Sequence, residues 1–292
     1  MVGRQRRAAA VVLAVVLAAA GLAARQVPAR IVSTSPSITE TLFALGLGDH
    51  VVGVSTYCWF PPAVAKLPKI GTFAKPDAEL IARLRPDLVV VHTGPHAAAS
   101  HLAALKIRTV VIETGSLGQV FSTIRQIASA AGVSDRSDRV IGDINARLDR
   151  VKGAVAGKPP KKVLIIVGRR TGTLTDMVAA GQSSYLSDIA AFAGGVNVLA
   201  NATPQYARIS METVISLAPD VLIDIGEMGE QPDTSESRLQ ITRDLWRRQT
   251  LVKAVRDQRV QASTDQAFVV PGPRLVNVAE TMAGWFHGVT FK

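Results

Sequence analysis

The sequence predicts an α/β protein of two similar lobes joined by one long helix. Three observations carry that prediction. Apolar runs of strand length alternate with amphipathic helical segments along the chain. A stretch is written twice: "DAELIARLRPDLVVV" (Asp77–Val91) is echoed by "SMETVISLAPDVLID" (Ser210–Asp224). Glu79 falls on Glu212, Leu84 on Leu217, Pro86 on Pro219 and Asp87 on Asp220, each at an offset of 133. Between the two copies, Ser134–Ala156 has a helical pattern unlike anything around it.

The first residues are set apart from the fold. "MVGRQRR" is basic, "AAAVVLAVVLAAAGLAA" is apolar and ends in small residues, and no acid precedes Glu40. This pattern predicts a secretory signal peptide over 1–25, cleaved near Ala23 or Ala24. The competing reading, an uncleaved membrane anchor, is short at 17 Ala-rich residues. No cysteine closes the apolar run, so a lipid anchor is not expected there. Without those residues the chain keeps 29 basic and 23 acidic side chains, a formal +6 with no dense basic block. That distribution argues against a nucleic-acid partner. The single cysteine, Cys58, cannot form an internal disulfide and reads as a buried, inert thiol.

The elements follow in order. "RIVSTS" (Arg30–Ser35) reads as a strand, and "SITETLFALGL" as a helix stopped by Gly46 and Gly48. "HVVGVS" reads as a second strand, followed by a Pro-rich loop. The first copy of the repeat is helix plus strand. Then come a helix near Ala97–Leu105 and the strand "RTVVIE". Continuous apolar strands separated by helices predict parallel sheets covered on both faces. In Ser134–Ala156, Val140, Ile141, Ile144, Leu148, Val151 and Val155 form one stripe, with Ser134 as a candidate cap. A helix that long spans about 35 Å and can bridge two lobes, although an ordinary crossover helix has the same pattern. Beyond it, "KVLIIVG" is a strand, "SYLSDIAAFAG" a helix, the echo again helix plus strand, and "VQAS" a strand. A final helix follows Pro271-Gly272-Pro273. The expected division is 27–134 for the first lobe, 135–160 for the bridging helix and linker, and 161–292 for the second lobe.

Enzyme templates fail: Walker A, G-x-G-x-x-G after a strand, G-x-S-x-G and H-E-x-x-H are all missing from the sequence. No catalytic residue is assigned. His92, His96 and His101 lie close together, but Gly94-Pro95 keeps the first two off a common helical face and no acid or cysteine completes a set. They read as ordinary histidines, and no metal site is assigned. A zinc or manganese site would need His92 or His96.

The loop "STYCWFPPAVAKLPKIGTF" carries more. Tyr57, Trp59, Phe60 and Phe73 are four of the chain's fourteen aromatics within 17 residues. They follow a strand, where open α/β sheets present a ligand crevice. Rings there suit a large, flat, partly polar ligand. Phe60, just before Pro61-Pro62, is expected in the core, and Tyr206 offers a ring from the other lobe. Glu79 and Glu212 each fall in the first turn of a helix, behind Asp77 and Ser210. The helix dipole alone favours an acid there. It does not account for glutamate in both copies while the flanking residues differ.

These motifs resemble the cobalamin and ferric-siderophore family of ABC-transporter substrate-binding proteins. The resemblance runs from "RIVSTSPSITETLFALGLGDHVVGVSTYCWFPP" through the first repeat copy, "AGGVNVLAN", the second copy and "VVPGPRLVNVAETMAG". It implies two Rossmann-like lobes joined by a single long rigid helix, the class III, helical-backbone arrangement of periplasmic binding proteins. It also implies a small-molecule ligand held between the lobes, no catalysis and no cofactor. The partner would be the permease dimer of an ABC importer in the inner membrane, and the protein a periplasmic monomer. By position in the echoed motif, Glu79 and Glu212 match the glutamates with which the family docks on the permease.

The "TYC-WFPP" loop is most similar to the cobalamin-binding branch, implying a cobalamin-like corrinoid as transported ligand. Tyr57, Trp59, Phe73, Tyr206, Asp265 and Phe268 are its implied contacts. Trp59 stands where the branch commonly has Asp, and Phe73 where it often has Trp. The alternatives are a ferric siderophore, served by Arg169, Arg170 and Arg208, and haem, with Tyr57 as axial donor. An exported enzyme acting on metal chelates is the alternative of another class.

Overall fold

The computed structural model describes residues 27–93, 98–199, 205–226 and 236–291. The predicted signal peptide and His96 lie outside them. The first sheet contains β1 (Ile31–Ser33), β2 (Val51–Val54), β3 (Leu88–His92) and β4 (Thr109–Ile112), ordered β2-β1-β3-β4 and parallel throughout. Helices α1 (Pro36–Ala44), α2 (Ala78–Arg83) and α3 (Ala98–Ala104) connect its strands. Ser35 caps α1 by accepting the Ile38 amide, with Pro36 at the first helical position. Two helices then run consecutively, α4 (Leu117–Ala130) and the long α5 (Ser134–Val155).

The second sheet contains β5 (Lys161–Gly168), β6 (Met177–Ala180), β7 (Gly195–Asn197), β8 (Tyr206–Ile209), β9 (Val221–Asp224) and β10 (Val260–Ala262), ordered β10-β9-β5-β6-β8 with β7 also on β5. Its helices are α6 (Tyr185–Phe192), α7 (Met211–Leu217), α8 (Glu236–Arg247), α9 (Lys253–Arg256) and α10 (Leu275–His287). This sheet is mixed, where the sequence pattern predicts a parallel one. β6 runs antiparallel to β5 and to β8. The link from β5 to β6 is a short turn through Gly172 and Asp176, both at positive φ, and a parallel return would need a full crossover.

Successive strand residues feed opposite faces. Leu88 and Val90 of β3, with Val163 and Ile165 of β5, enter one large core; Val89 and Val91 enter a second; Leu164 and Ile166 a third. The large core is continuous between the lobes because Ile141, Ile144, Leu148, Val151 and Val155 of α5 belong to it. At 22 residues, α5 is about 33 Å long. Arg147 ties it to α10 through Glu280, at 2.6 and 3.1 Å, and Asn277, at 2.7 Å. The expected Ser134 cap does not form: Val133 takes the cap position, and Ser134 is already helical.

The repeat is reproduced in the helix cap, the left-handed turn and the strand start, with different cap bonds in the two copies. Asp77 caps α2 by accepting the Glu79 and Leu80 amides, and Ser210 caps α7 by accepting that of Thr213. Each helix is followed by a left-handed residue, Arg85 (φ 45) and Ala218 (φ 44). Proline then leads into aspartate. Asp87 accepts the Arg30 amide at 2.9 Å and returns its own N–H to the Arg30 carbonyl at 2.8 Å. Asp220 does the same with Lys162, at 2.9 and 2.8 Å. The shared Pro-Asp therefore starts a strand and registers it on its neighbour.

Candidate functional site: an aromatic crevice between the lobes

The loop after β2 is held from within. Thr56 donates its amide and its hydroxyl to the Gly71 carbonyl, at 2.8 and 3.1 Å. Gly71 has φ +92, and a Cβ there would meet the Lys75 carbonyl at 2.6 Å, so glycine is required. This closure brings Tyr57 and Phe73 together, ring centroids 5.9 Å apart and tilted by 54°. Phe73 is 51% exposed. Trp59 is half-buried beneath Lys69, whose ammonium lies 5.3 Å from the ring centroid and donates to the Cys58 carbonyl at 2.8 Å.

Phe60 corrects an expectation. It is 42% exposed rather than in the core, because Cys58 and Val64 on either side fill the interior. Its ring lies 4.1 Å from the guanidinium of Arg274, a residue of the second lobe. The aromatic loop therefore reaches the space between the lobes. Arg274 also makes a two-point ion pair with Glu40 of α1, at 2.6 and 2.9 Å, and sits 3.7 Å from Asp265. Burial pushes the Glu40 carboxyl above its usual range, against the pull of Arg274.

From the second lobe, Tyr206 leaves 41% of its surface exposed, while enclosure of its hydroxyl pushes that group upward. Tyr185 beside it is fully buried and donates to the Phe268 carbonyl at 2.6 Å. Burial raises its hydroxyl well above the ordinary value, with Tyr206 and Glu40 adding to the effect. Asp265 is exposed and caps the turn Gln266–Phe268 by accepting the Ala267 amide at 2.8 Å. Phe268 does not face the crevice. It is 1% exposed and stacked on Trp285 at 5.4 Å, because the turn that Asp265 caps points its side chain inward.

The arginines divide. Arg169 is buried against Asp224, Arg170 pairs with Asp176, and Arg208 is exposed with no ion pair among the described residues. His92 ends β3 and contacts the Ser35 and Ser37 hydroxyls at 2.7 and 3.1 Å. Burial lowers its pKa to about 4, so it is neutral. No group of three metal-ligating side chains occurs among the described residues. Burial pushes the Cys58 thiol up to about 11, and it contacts the Thr39 hydroxyl at 3.1 Å.

Glu79 and Glu212 are both exposed, each in the first turn of its helix. A hydrogen bond with the Ser210 side chain, and one with its own backbone, lower the Glu212 pKa. Sequence reasoning missed Glu40, Arg274 and the outward Phe60. No spacing signal could pair two residues 234 positions apart.

The sequence model of periplasmic binding proteins matches residues 31–267. The chain belongs to the periplasmic binding protein family. This periplasmic binding protein is similar to an uncharacterized ABC transporter substrate-binding lipoprotein, YvrC, of Bacillus subtilis. The two are 27% identical over 272 residues, 91% of this chain and 82% of the relative. It is 28% identical over 203 residues to the vitamin B12-binding protein of Salmonella typhimurium, 69% of this chain and 74% of that one. Among solved structures it resembles the apo form of the periplasmic heme-binding protein RhuT from Roseiflexus sp. RS-1. That match has a TM-score of 0.73 at 27% identity, covering 89% of this chain and 98% of that one. The two-lobed fold is that of class III binding proteins. As a periplasmic binding protein it is the extracytoplasmic substrate-binding component of an ABC transporter, with a permease as partner and no enzymatic role.

Proposed function

We propose that this protein binds a cobalamin-like corrinoid between its lobes and delivers it to an importer's permease dimer. The observation that carries this reading is exposed aromatic surface on both lobes. Tyr57, Phe73 and Phe60 from the first lobe and Tyr206 from the second leave ring surface unburied. Exposed rings of this kind are costly unless a ligand covers them. Charge supports the same choice. Arg169 and Arg170 are neutralised by Asp224 and Asp176, and Arg274 by Glu40. A ligand of low net charge with amide arms suits such a crevice better than a polyanionic ferric siderophore. The kinship with vitamin B12-binding relatives points the same way.

Haem is the second reading, favoured by the phenol of Tyr57 in the aromatic loop and by the likeness to the heme-binding RhuT. Calorimetry and absorbance titrations of the mature protein with cyanocobalamin, cobinamide, hemin and ferric siderophores test these readings. Saturable one-to-one binding of a corrinoid supports the first. A Soret shift with hemin, lost in Tyr57→Phe and without corrinoid binding, replaces it with the second. In the same reading, Glu79 and Glu212 are the contacts to the two permease subunits.

A further inference from the structure

Arg274 is used on every side. Its Nε and Nη2 donate to the two carboxylate oxygens of Glu40 at 2.9 and 2.6 Å. Its Cζ lies 4.1 Å from the Phe60 ring, and Nη1 is 3.7 Å from Asp265. The side chains of Glu40 and Arg274 are only 3% and 19% exposed. Glu40 and Phe60 belong to the first lobe, Asp265 and Arg274 to the second. Arg274 directly precedes α10, which Arg147 ties to the bridging helix through Glu280 and Asn277. Gly272 lies beside α1, where a Cβ would make an ordinary contact with the Glu40 carboxylate at 3.5 Å.

A buried ion pair is a poor source of stability compared with apolar packing of the same volume, but a two-point guanidinium–carboxylate fork fixes distance and angle together. Joining two lobes is where such rigidity has consequence. We propose that Arg274 is a positioning residue: its fork on Glu40 sets the spacing of the lobes at the floor of the crevice, and its stacking holds Phe60 as part of the ligand-facing wall. The ligand then meets a preset width, and loosening the fork speeds its escape. The second consequence rests on the crevice being the ligand site; the first does not.

The test separates the two. Nitroxides placed at Leu105→Cys and Leu251→Cys, exposed positions on opposite lobes, report the interlobe distance by pulsed electron resonance without any ligand. Native Cys58 is buried and stays unlabelled. The parent should give one narrow distribution. Glu40→Gln and Arg274→Lys, which keep side-chain size, should broaden it, and Phe60→Ala should not. With cyanocobalamin or hemin bound, the first two variants should release ligand about tenfold faster, with association much less changed. Narrow, parent-like distributions in both Glu40→Gln and Arg274→Lys would overturn the proposal and leave the pair a local structural contact. Broadened distributions in a protein that binds neither probe would uphold the positioning role while removing the ligand reading.

Discussion

Asp224 accepts the Nε–H of Arg169 at 2.9 Å inside the second lobe, with side-chain exposures of 0% and 3%. The same carboxylate takes the Trp246 indole N–H at 2.7 Å and the Gly226 amide at 2.7 Å. Arg169 reaches on to the Thr242 hydroxyl at 2.9 Å. The pair thus pins α8 against the C-terminal end of β9, an inner strand of the sheet. Asp224→Ala would take a buried carboxylate away from the Arg169 guanidinium and the Trp246 indole, and should cost about 3–5 kcal/mol. Urea unfolding of the variant checks this, and a loss below about 1 kcal/mol would contradict it. The same burial removes Arg169 from any role toward an anionic ligand.

Charge reversal at Glu79 or Glu212 should lower permease-dependent uptake while leaving ligand affinity within about twofold, since both are exposed on helix starts. Reversing both should abolish uptake. Uptake assays beside calorimetry on the same variants read the two effects apart. A collapse in affinity would place these residues at the ligand instead.

Truncating Tyr57 or Phe73 to Ala should weaken ligand binding about tenfold each, with little change in unfolding midpoint. Both rings lie on a loop closed by backbone bonds to Gly71, which the truncations leave intact. Phe268→Ala should do the reverse. It opens a core cavity, costs about 3–5 kcal/mol of stability, and affects affinity only through the fold.

Stability should fall in mild acid through His92. Burial holds its folded pKa at about 4, against 6.5 for the ordinary group. Between those values the unfolded chain binds a proton that the folded chain refuses. The contribution of neutral His92 is therefore complete above 6.5 and is lost as pH falls toward 4, by about 3 kcal/mol in total. The groups contacting it are the Ser35 and Ser37 hydroxyls, which do not titrate. Unfolding free energies at pH 7 and pH 4.5 should differ by less in His92→Gln than in the parent.

Asp87 and Asp220 each hold the start of a central strand with a pair of hydrogen bonds, on Arg30 just before β1 and on Lys162, the second residue of β5. Replacing either with Ala should destabilise by about 1–3 kcal/mol. The Asp220 variant should suffer more, because it also loses Lys253 at 3.0 Å.

Much of the fold was legible because it is written locally. The Asp77 and Ser210 caps, the helix stop at Gly46, the α5 stripe and the β3 and β9 runs are decided by neighbours within a turn or two. Helix α4 and the β6–β8 ribbon escaped notice. The ribbon is short, and its direction depends on which strand it meets. At the candidate site, the Tyr57–Phe73 pair follows from loop composition, whereas the outward turn of Phe60 and the inward turn of Phe268 do not.

The sequence alone determined the two-lobed α/β plan and the duplication, because strand runs and helix caps are short-range chemistry. That the repeated Asp87 and Asp220 register strands on Arg30 and Lys162 came from the structure. Only the tertiary structure decided which charges are spent and which remain. Arg169 meets Asp224 55 positions away, and Arg274 meets Glu40 across 234. A guanidinium's partner is set by where whole lobes pack, and no pattern along the chain records that distance.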